Sequence, residues 1–506
     1  MAKVDCLLRS HQSEVFPQIN ENLDKYRICR DTSDGGLGKT ELAFFVAKHR
    51  NMEIGCVTIK DLMPDFRKRA ERHGVKIAFL INYELLRGQG QNCKHDLLVR
   101  NEDDYEVSPY WKQRFSEDNI LVVFEEHQKA KTAKSLQHKA CCALAQEVRL
   151  STTSLLYLSS STPLAEKVNI GSIPKLCGVT THDELVRYDP ENHVYEKLAF
   201  GQLEVFCSKI NPILTKELVP RNITDKNAQT SFYNLVTKIL VPAVTVNMKK
   251  EPDIDNKTVH TVQNRFFEPE TEEDHNLLNA ASIKLSRMRG ICVSQKTPQL
   301  IPKYLNEYNK LGEKLKIYPT VKAFLKLKEM EPNLKVLFFV WRKSSPRRII
   351  RLLKGTPFEG RIAVINGDTP IEERHRIRNT YQQPNNDIDL VIGNANIFGV
   401  GGDWHDQDGR FPRAIFIIAN EQFIPINQAR KRADREGGKS DTCTYIVFID
   451  RIPQEVSLLD KFQESKKTLS DVRNHEFKFP NLITKDSESP LVCPHPRKIF
   501  KTSRVL

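Results

Sequence analysis

The sequence predicts an α/β protein with parallel sheets, laid out in two successive segments. Three observations predict it. A glycine-rich loop, Ser33-Asp34-Gly35-Gly36-Leu37-Gly38-Lys39-Thr40, runs straight into the apolar helical stretch Glu41–Lys48. Continuous apolar runs such as Asn119–Phe124 and Lys335–Val340 suit strands buried on both faces. Helical stretches separate these runs, and strand–helix–strand alternation brings successive strands together in parallel.

At 506 residues the chain exceeds what one core serves, so two or three domains are expected, and 39% hydrophobic content fills them. Lys and Arg number 77 against 64 Asp and Glu, a formal charge of +13 that favours a polyanionic partner. Charge alone does not separate nucleic acid from an acidic membrane surface. No apolar run approaches the ~20 residues of a membrane span, and the polar start Met1–Cys6 lacks a signal-peptide core, so an intracellular protein without a membrane partner is expected. The 11 cysteines are scattered singly except for Cys141-Cys142, with no Cys-x-x-Cys pair. Reduced thiols in the cytoplasm or nucleus follow, rather than zinc ligands or disulfides.

Glycines 35, 36 and 38 let backbone N–H groups curl around an anion, and the helix that follows points its positive end at it. Lys39 and Thr40 suit a terminal phosphate and a Mg²⁺ ion. Ser33 stands where such loops usually begin with glycine, and the preceding Tyr26–Arg30 is a weak strand. A glycine turn that merely starts a helix has similar residues. What separates the two is a carboxylate from a neighbouring strand to hold the metal. Upstream, Gln12 either reads an adenine edge or lies on the surface.

After the loop helix, Ile54–Ile59 and Lys76–Ile81 read as strands separated by the basic helix Asp65–Arg72. The second ends in Asn82–Gly88, a polar segment at the carboxyl end of a strand, where open sheets collect ligands. It reads as a nucleic-acid backbone contact or as a plain loop. The apolar strand Asn119–Phe124 ends in Glu125-Glu126-His127-Gln128-Lys129. Paired carboxylates at the tip of a buried strand are costly without a cation or a proton-transfer task. Here Glu125 would hold Mg²⁺ through water and Glu126 would orient the attacking water; a solvated acidic turn is the plainer reading. The strand Leu155–Leu158 closes in Ser159–Pro163, whose hydroxyls either relay the nucleotide state or cap a turn.

Residues from about 190 to 320 carry less signal. Phe267–Asp274 reads as an exposed connection and Leu277–Met288 as a helix. The second α/β segment follows the helical Val321–Glu329, with strands Lys335–Val340, Ile362–Ile365 and Ile388–Ile392. A basic helix with Arg347, Arg348 and Arg351 lies between the first two, and Gly367-Asp368-Thr369 leads into the helical Ile371–Arg378. From about Asn481 the chain reads as a flexible basic tail.

The ordered blocks from the glycine loop through Asn82–Gly88, Val123–Lys131 and Leu158–Pro163 resemble superfamily 2 helicases, most nearly the DEAH-like helicase/ATPases of large DNA viruses, relatives of Swi/Snf translocases. Gly399–Asp406 with Asp408–Arg413 is similar to the viral enzymes' fifth motif, and Gln428–Arg435 to the sixth. Glu125 stands for the family's metal-binding aspartate, Gln128 for its histidine, Ser161 for alanine and Lys431 for glycine. The similarity spans roughly residues 7 to 475.

This resemblance implies two RecA-like domains, residues 1–190 and 321–480, joined by a partly helical linker or insertion at 191–320, with a tail at 481–506. It implies ATP held by Gln12, Gly36, Gly38, Lys39, Thr40 and Asp403, and Mg²⁺ held by Thr40 and Glu125. Glu126, Arg432 and Arg435 inherit catalytic positions. Gln128, Ser160, Thr162 and Gln428 inherit coupling positions, and Tyr83, Arg87 and Thr369 face nucleic acid. The implied activity is an ATP-dependent helicase or translocase acting on DNA or RNA with viral transcription or replication machinery. The alternative is a non-hydrolysing nucleic-acid-binding scaffold on the same fold.

Overall fold

Parallel pairing organises both segments. The computed structural model describes residues 8–88, 93, 95–101, 104–132, 135–161, 169–179, 188–189, 194–195, 201–219, 225–248, 260–294, 301–383, 387–395, 404–432, 438–473 and 491. The chain divides into two units, Met1–Glu251 with Ser465–Lys478, and Pro252–Glu464 with Phe479–Leu506. The helix Pro453–Arg473 is shared between them in sequence.

In the first unit the strands are β1 (Ile28–Asp31), β2 (Glu53–Thr58), β3 (Ile77–Asn82), a hairpin of β4 (Leu98–Asn101) and β5 (Asp104–Val107), β6 (Ile120–Glu125), β7 (Leu155–Ser159), a small hairpin of β8 (Tyr188–Asp189) and β9 (Val194–Tyr195), and β10 (Thr245–Val246). Six of them form one sheet in the order β10-β1-β7-β6-β2-β3, parallel at every pair. Strand β6 shows why the apolar runs matter. Its Ile120, Val122 and Phe124 enter the core on one face and Leu121 and Val123 enter the core on the other. Each such burial contributes about 1.5–3 kcal/mol, so a strand apolar at every position belongs in the middle of the sheet.

The second unit repeats the pattern with β11 (His260–Phe267), β12 (Lys335–Val340), β13 (Ile362–Ile365), β14 (Leu390–Asn394), β15 (Arg413–Ile418) and β16 (Thr442–Ile449), ordered β11-β16-β15-β12-β14-β13 and again parallel throughout. Two parallel six-stranded sheets with packed helices carry the expected α/β architecture of two RecA-like domains.

The segment 191–320 contributes to both units. Helices Gly201–Ile210, Pro212–Leu218 and Asp225–Leu235 and strand β10 belong to the first; β11 and helices Glu272–Ser294 and Ile301–Met330 belong to the second. Both strands lie at sheet edges, where pairing on one side replaces the continuous apolar signal of a central strand. Hence His260-Thr-Val-Gln-Asn-Arg-Phe-Phe267 is a strand with little apolar periodicity. Expected strand Tyr26–Arg30 is observed as Ile28–Asp31, because helix Ser10–Tyr26 occupies its first residue.

Among the described residues no helix is long and apolar enough to cross a membrane. Eight described cysteines are free thiols, seven of them buried, and burial pushes the Cys29, Cys56 and Cys141 thiols well above their usual range.

Candidate functional site

In a parallel sheet all strands end on the same side, and the chemistry-bearing residues of the first unit gather there. Register sets Glu125 of β6 beside Ser159 of β7, Asp31 of β1 beside the same Ser159, and Thr58 of β2 beside Asn82 of β3. The glycine-rich loop leaves β1 and enters helix Lys39–His49. Gly36 and Gly38 have φ of 89° and 77°, left-handed conformations that glycine adopts without strain. A Cβ at Gly38 would lie 2.5 Å from Gln12 Nε2.

Gln12 explains that closeness. Its Nε2 donates to the carbonyls of Leu37 and Gly38, both at 3.3 Å, while its Oε1 accepts Arg9 N–H at 3.0 Å. His11 Nε2 adds a contact with the Leu37 carbonyl at 3.2 Å. Thus Gln12, 3% exposed, is buttressing the loop rather than lying on the surface. The loop's other flank is held by Ser33, whose N–H donates to Asp31 Oδ1 at 3.0 Å and whose hydroxyl accepts Met248 N–H at 2.7 Å. Tyr157 donates to the other Asp31 oxygen at 2.8 Å.

Lys39 turns back over the loop, its Nζ donating to the carbonyls of Ser33 (2.9 Å) and Asp34 (3.0 Å). Burial lowers its pKa, against the pull of Asp31, Glu126 and Asp34. Thr40, at the start of the helix, donates its hydroxyl to Glu125 Oε1, and Thr58 donates to Glu125 Oε2 at 3.1 Å. Burial raises the Glu125 pKa, as does neighbouring Glu126, while the two threonines oppose the rise.

Glu126 has φ 56°, a left-handed conformation costing a non-glycine residue about 1–3 kcal/mol. The turn breaks the strand and starts the short helical segment His127–Ala130. Gln128 lies inside it, 6% exposed, its Nε2 donating to Glu126 Oε2 and its Oε1 accepting the Ser160 hydroxyl. Ser160 N–H in turn donates to the Asp31 carbonyl at 3.0 Å, which ties the end of β7 back to β1.

The oxygen donors of Thr40 and Glu125 suit a hard dication, and the loop's glycines suit an anion. Among the described residues no group of three His, Cys, Asp or Glu side chains can hold a metal by itself. A Mg²⁺ held here would take its remaining ligands from phosphate and water.

The structure therefore brings together Gln12, Gly36, Gly38, Lys39, Thr40, Glu125, Glu126, Gln128 and Ser160. Tyr83 corrects an expectation: it is 1% exposed and donates its hydroxyl to the Glu125 carbonyl at 2.9 Å, supporting β6 from beneath instead of facing a nucleic acid. Burial of its ring, on the apolar side of the segment, is the reason. Arg87, four residues on, is exposed. In the second unit, Thr369 caps the turn after β13, accepting Asn366 N–H at 3.0 Å. Gln428 lies in helix Phe423–Arg430, and Arg432 just beyond it, with 7% and 6% exposure and the Arg432 carbonyl accepting Trp404 N–H at 2.9 Å. The helix thus ends before Arg432. Thr162, Asp403 and Arg435 lie outside the described residues.

Sequence reasoning missed Thr58 and Asp31. A threonine closing an apolar strand beside a carboxylate strand is a usable signal; Asp31 has none, because its partner Tyr157 is remote in sequence.

No family model matches the chain. A curated protein of Acanthamoeba polyphaga mimivirus, named “Putative ATP-dependent RNA helicase”, is 21% identical over 475 residues, covering 90% of this chain and 82% of its own length. The superfamily 2 resemblance of the motifs agrees with that relative. Among solved structures, a Sulfolobus solfataricus SWI2/SNF2 ATPase core in complex with dsDNA is 14% identical with a TM-score of 0.32, covering 93% of this chain and 97% of its own. The two parallel sheets themselves, rather than this likeness, carry the fold.

Proposed function

We propose that the chain is a nucleic-acid-dependent ATPase, an ATP-driven helicase or translocase of superfamily 2. One observation carries the reading: the Thr40 hydroxyl, at the start of the loop helix, meets the Glu125 carboxylate at the end of a buried neighbouring strand. A nucleotide-bound Mg²⁺ needs that combination of hydroxyl and carboxylate.

In this reading ATP supplies the phosphoryl group when bound. Gly36, Gly38 and Lys39 hold the polyphosphate, with Thr40 and Glu125 on the metal side. Gln12 keeps the loop in shape. Glu126 orients the attacking water, and its strained backbone together with Gln128 holds the carboxylate in one direction. By the motif resemblance, Arg432 and Arg435 would take the catalytic arginine roles and Asp403 an ATP-binding role. Gln128 and Ser160 pass the state of Glu126 to the end of β7, and Thr162 and Gln428 keep the coupling positions that the motif resemblance gives them. Arg87 and Thr369 contact the DNA or RNA backbone. A role in viral transcription or replication is what the motif resemblance suggests, and the viral origin of the mimivirus relative supports its viral part.

The deciding experiment is ATP turnover by purified protein with and without single-stranded and duplex DNA and RNA. Expected are Mg²⁺-dependent hydrolysis, stimulation by nucleic acid, and a loss of ~10²–10³-fold in Lys39→Ala. Binding to nucleic acid should be set mainly by phosphates and weaken steeply with salt. Tight, salt-sensitive binding with no turnover is the result that replaces the motor with the scaffold.

A further inference from the structure

The helix Pro453–Arg473 ends against the glycine-rich loop of the first unit. Val472 is fully buried in that unit's core, and its carbonyl accepts Arg30 Nη1 at 3.5 Å. Asn247 Nδ2 donates to the Arg473 carbonyl, while Asn247 Oδ1 accepts the Thr32 hydroxyl at 2.6 Å. Tyr233 donates its hydroxyl to Asp471. From this anchored end the Arg473 side chain, 1% exposed, reaches Asp34, Nη1 to Oδ1 at 2.9 Å, and the same nitrogen lies 3.5 Å from the Ser161 carbonyl.

Asp34 is the second residue of the loop Ser33–Thr40, and its side chain is 42% exposed. A carboxylate there puts a negative charge into a cradle built for a polyanion. Like charges at such separations repel strongly where water is partly excluded. The loop's own cation, Lys39, already faces Asp31, Glu126 and Asp34. A further positive charge beside Asp34 makes the cradle more attractive to a polyanion.

We infer that Arg473 is a positioning residue of the nucleotide site, whose guanidinium neutralises Asp34 so that the glycine-rich loop accepts a polyphosphate. The inference rests on the nucleotide reading above. It assigns a role in ATP binding to the last residue of a helix that none of the helicase-like blocks includes.

The test uses the full chain and a fluorescent ATP analogue with Mg²⁺, alongside steady-state kinetics and melting curves. Arg473→Gln should weaken analogue binding and raise KM on the order of tenfold, because Asp34 then keeps its negative charge without the guanidinium that offsets it. At saturating ATP, kcat should change much less. Adding Asp34→Asn to Arg473→Gln should recover most of the lost affinity, since the repelling charge is then gone. Asp34→Asn alone, at a half-exposed position where misfolding is not a concern, should bind the analogue more tightly than the unmodified protein. A helix staple with no electrostatic task behaves differently: the double variant stays as weak as Arg473→Gln, and Asp34→Asn weakens binding. Either result overturns the inference, as does unaltered affinity in both single variants while Lys39→Ala fails to bind. If Lys39→Ala itself binds as well as the unmodified protein, the nucleotide reading falls instead.

Discussion

The side chain of Gln128 joins Glu126 to Ser160, donating to the carboxylate from its nitrogen and accepting the hydroxyl at its oxygen. An amide can do both at once with no change of protonation. A histidine, the residue that the similar helicases carry here, can do so only as the neutral ring in one tautomer. The link between the proposed water-orienting carboxylate and the end of β7 is therefore insensitive to pH at this position.

Gln128→Ala should lower kcat on the order of 10²-fold, because Glu126 then loses the contact that aims it. Nucleotide affinity should change little, as the Gln128 amide is engaged with Glu126 and Ser160. Equal losses in affinity and turnover would place Gln128 in binding rather than in aiming.

Glu125→Asp should alter turnover without abolishing nucleotide binding. The two Glu125 oxygens are taken by hydroxyls from different elements, Thr40 on the loop helix and Thr58 on β2. A side chain shorter by one methylene cannot reach both, so a metal held with Thr40 shifts while its charge partner is kept. Isothermal titration with an ATP analogue, beside an ATPase assay, separates the two effects; complete loss of binding contradicts the role given to Glu125.

Gly38→Ala and Gly74→Ala make a controlled pair. Both glycines have positive φ, 77° and 65°, but a Cβ at Gly74 meets nothing within 4 Å whereas one at Gly38 meets Gln12 Nε2 at 2.5 Å. Gly74→Ala should cost about 1 kcal/mol from backbone conformation alone. Gly38→Ala should cost more, up to about 3 kcal/mol, since moving Gln12 also breaks its two bonds to the loop carbonyls. Thermal melts give the comparison, and equal costs at the two sites rule out Gln12 as a buttress.

Stability should fall with acid beginning below about pH 6.5. Burial first, and then Arg30, lowers the His127 pKa from 6.5 to about 3, against a hydrogen bond with the Ser159 backbone. Between those values the unfolded chain binds a proton at this residue and the folded chain does not. Its contribution is therefore complete above pH 6.5 and is lost as pH falls toward 3, with a slope approaching ~1.4 kcal/mol per pH unit. Denaturant titrations across that window should show a shallower slope in His127→Gln; identical slopes assign the acid sensitivity to other groups.

The buried pair Lys316–Glu455 in the second unit, Nζ to Oε2 at 2.7 Å with Tyr308 donating to the other oxygen at 2.8 Å, should be far more costly to break than to replace. Lys316→Met alone should destabilise by about 3–5 kcal/mol by leaving Glu455 uncompensated, and Lys316→Met with Glu455→Leu by much less. Chemical denaturation of both variants provides the measurement.

What the sequence by itself determined was whatever local order encodes. An apolar residue at every position of 120–124 suits a strand with two covered faces, and glycines at 36 and 38 before Lys39-Thr40 suit a tight loop opening a helix, as observed. Because parallel strands end together, the same order also brought Lys39, Thr40, Glu125, Glu126 and Ser160 to one edge. Tertiary structure alone decided the contacts between segments with no periodic relation. It turned Gln12 onto the loop carbonyls, buried Tyr83 beneath Glu125, used the two-residue β10 and the polar β11 to finish sheet edges, and set Arg473 against Asp34. The physical reason is one of range. Element type follows from the spacing of neighbouring side chains, whereas an ion pair between residues 34 and 473 depends on how every intervening element packs, and no local pattern records that.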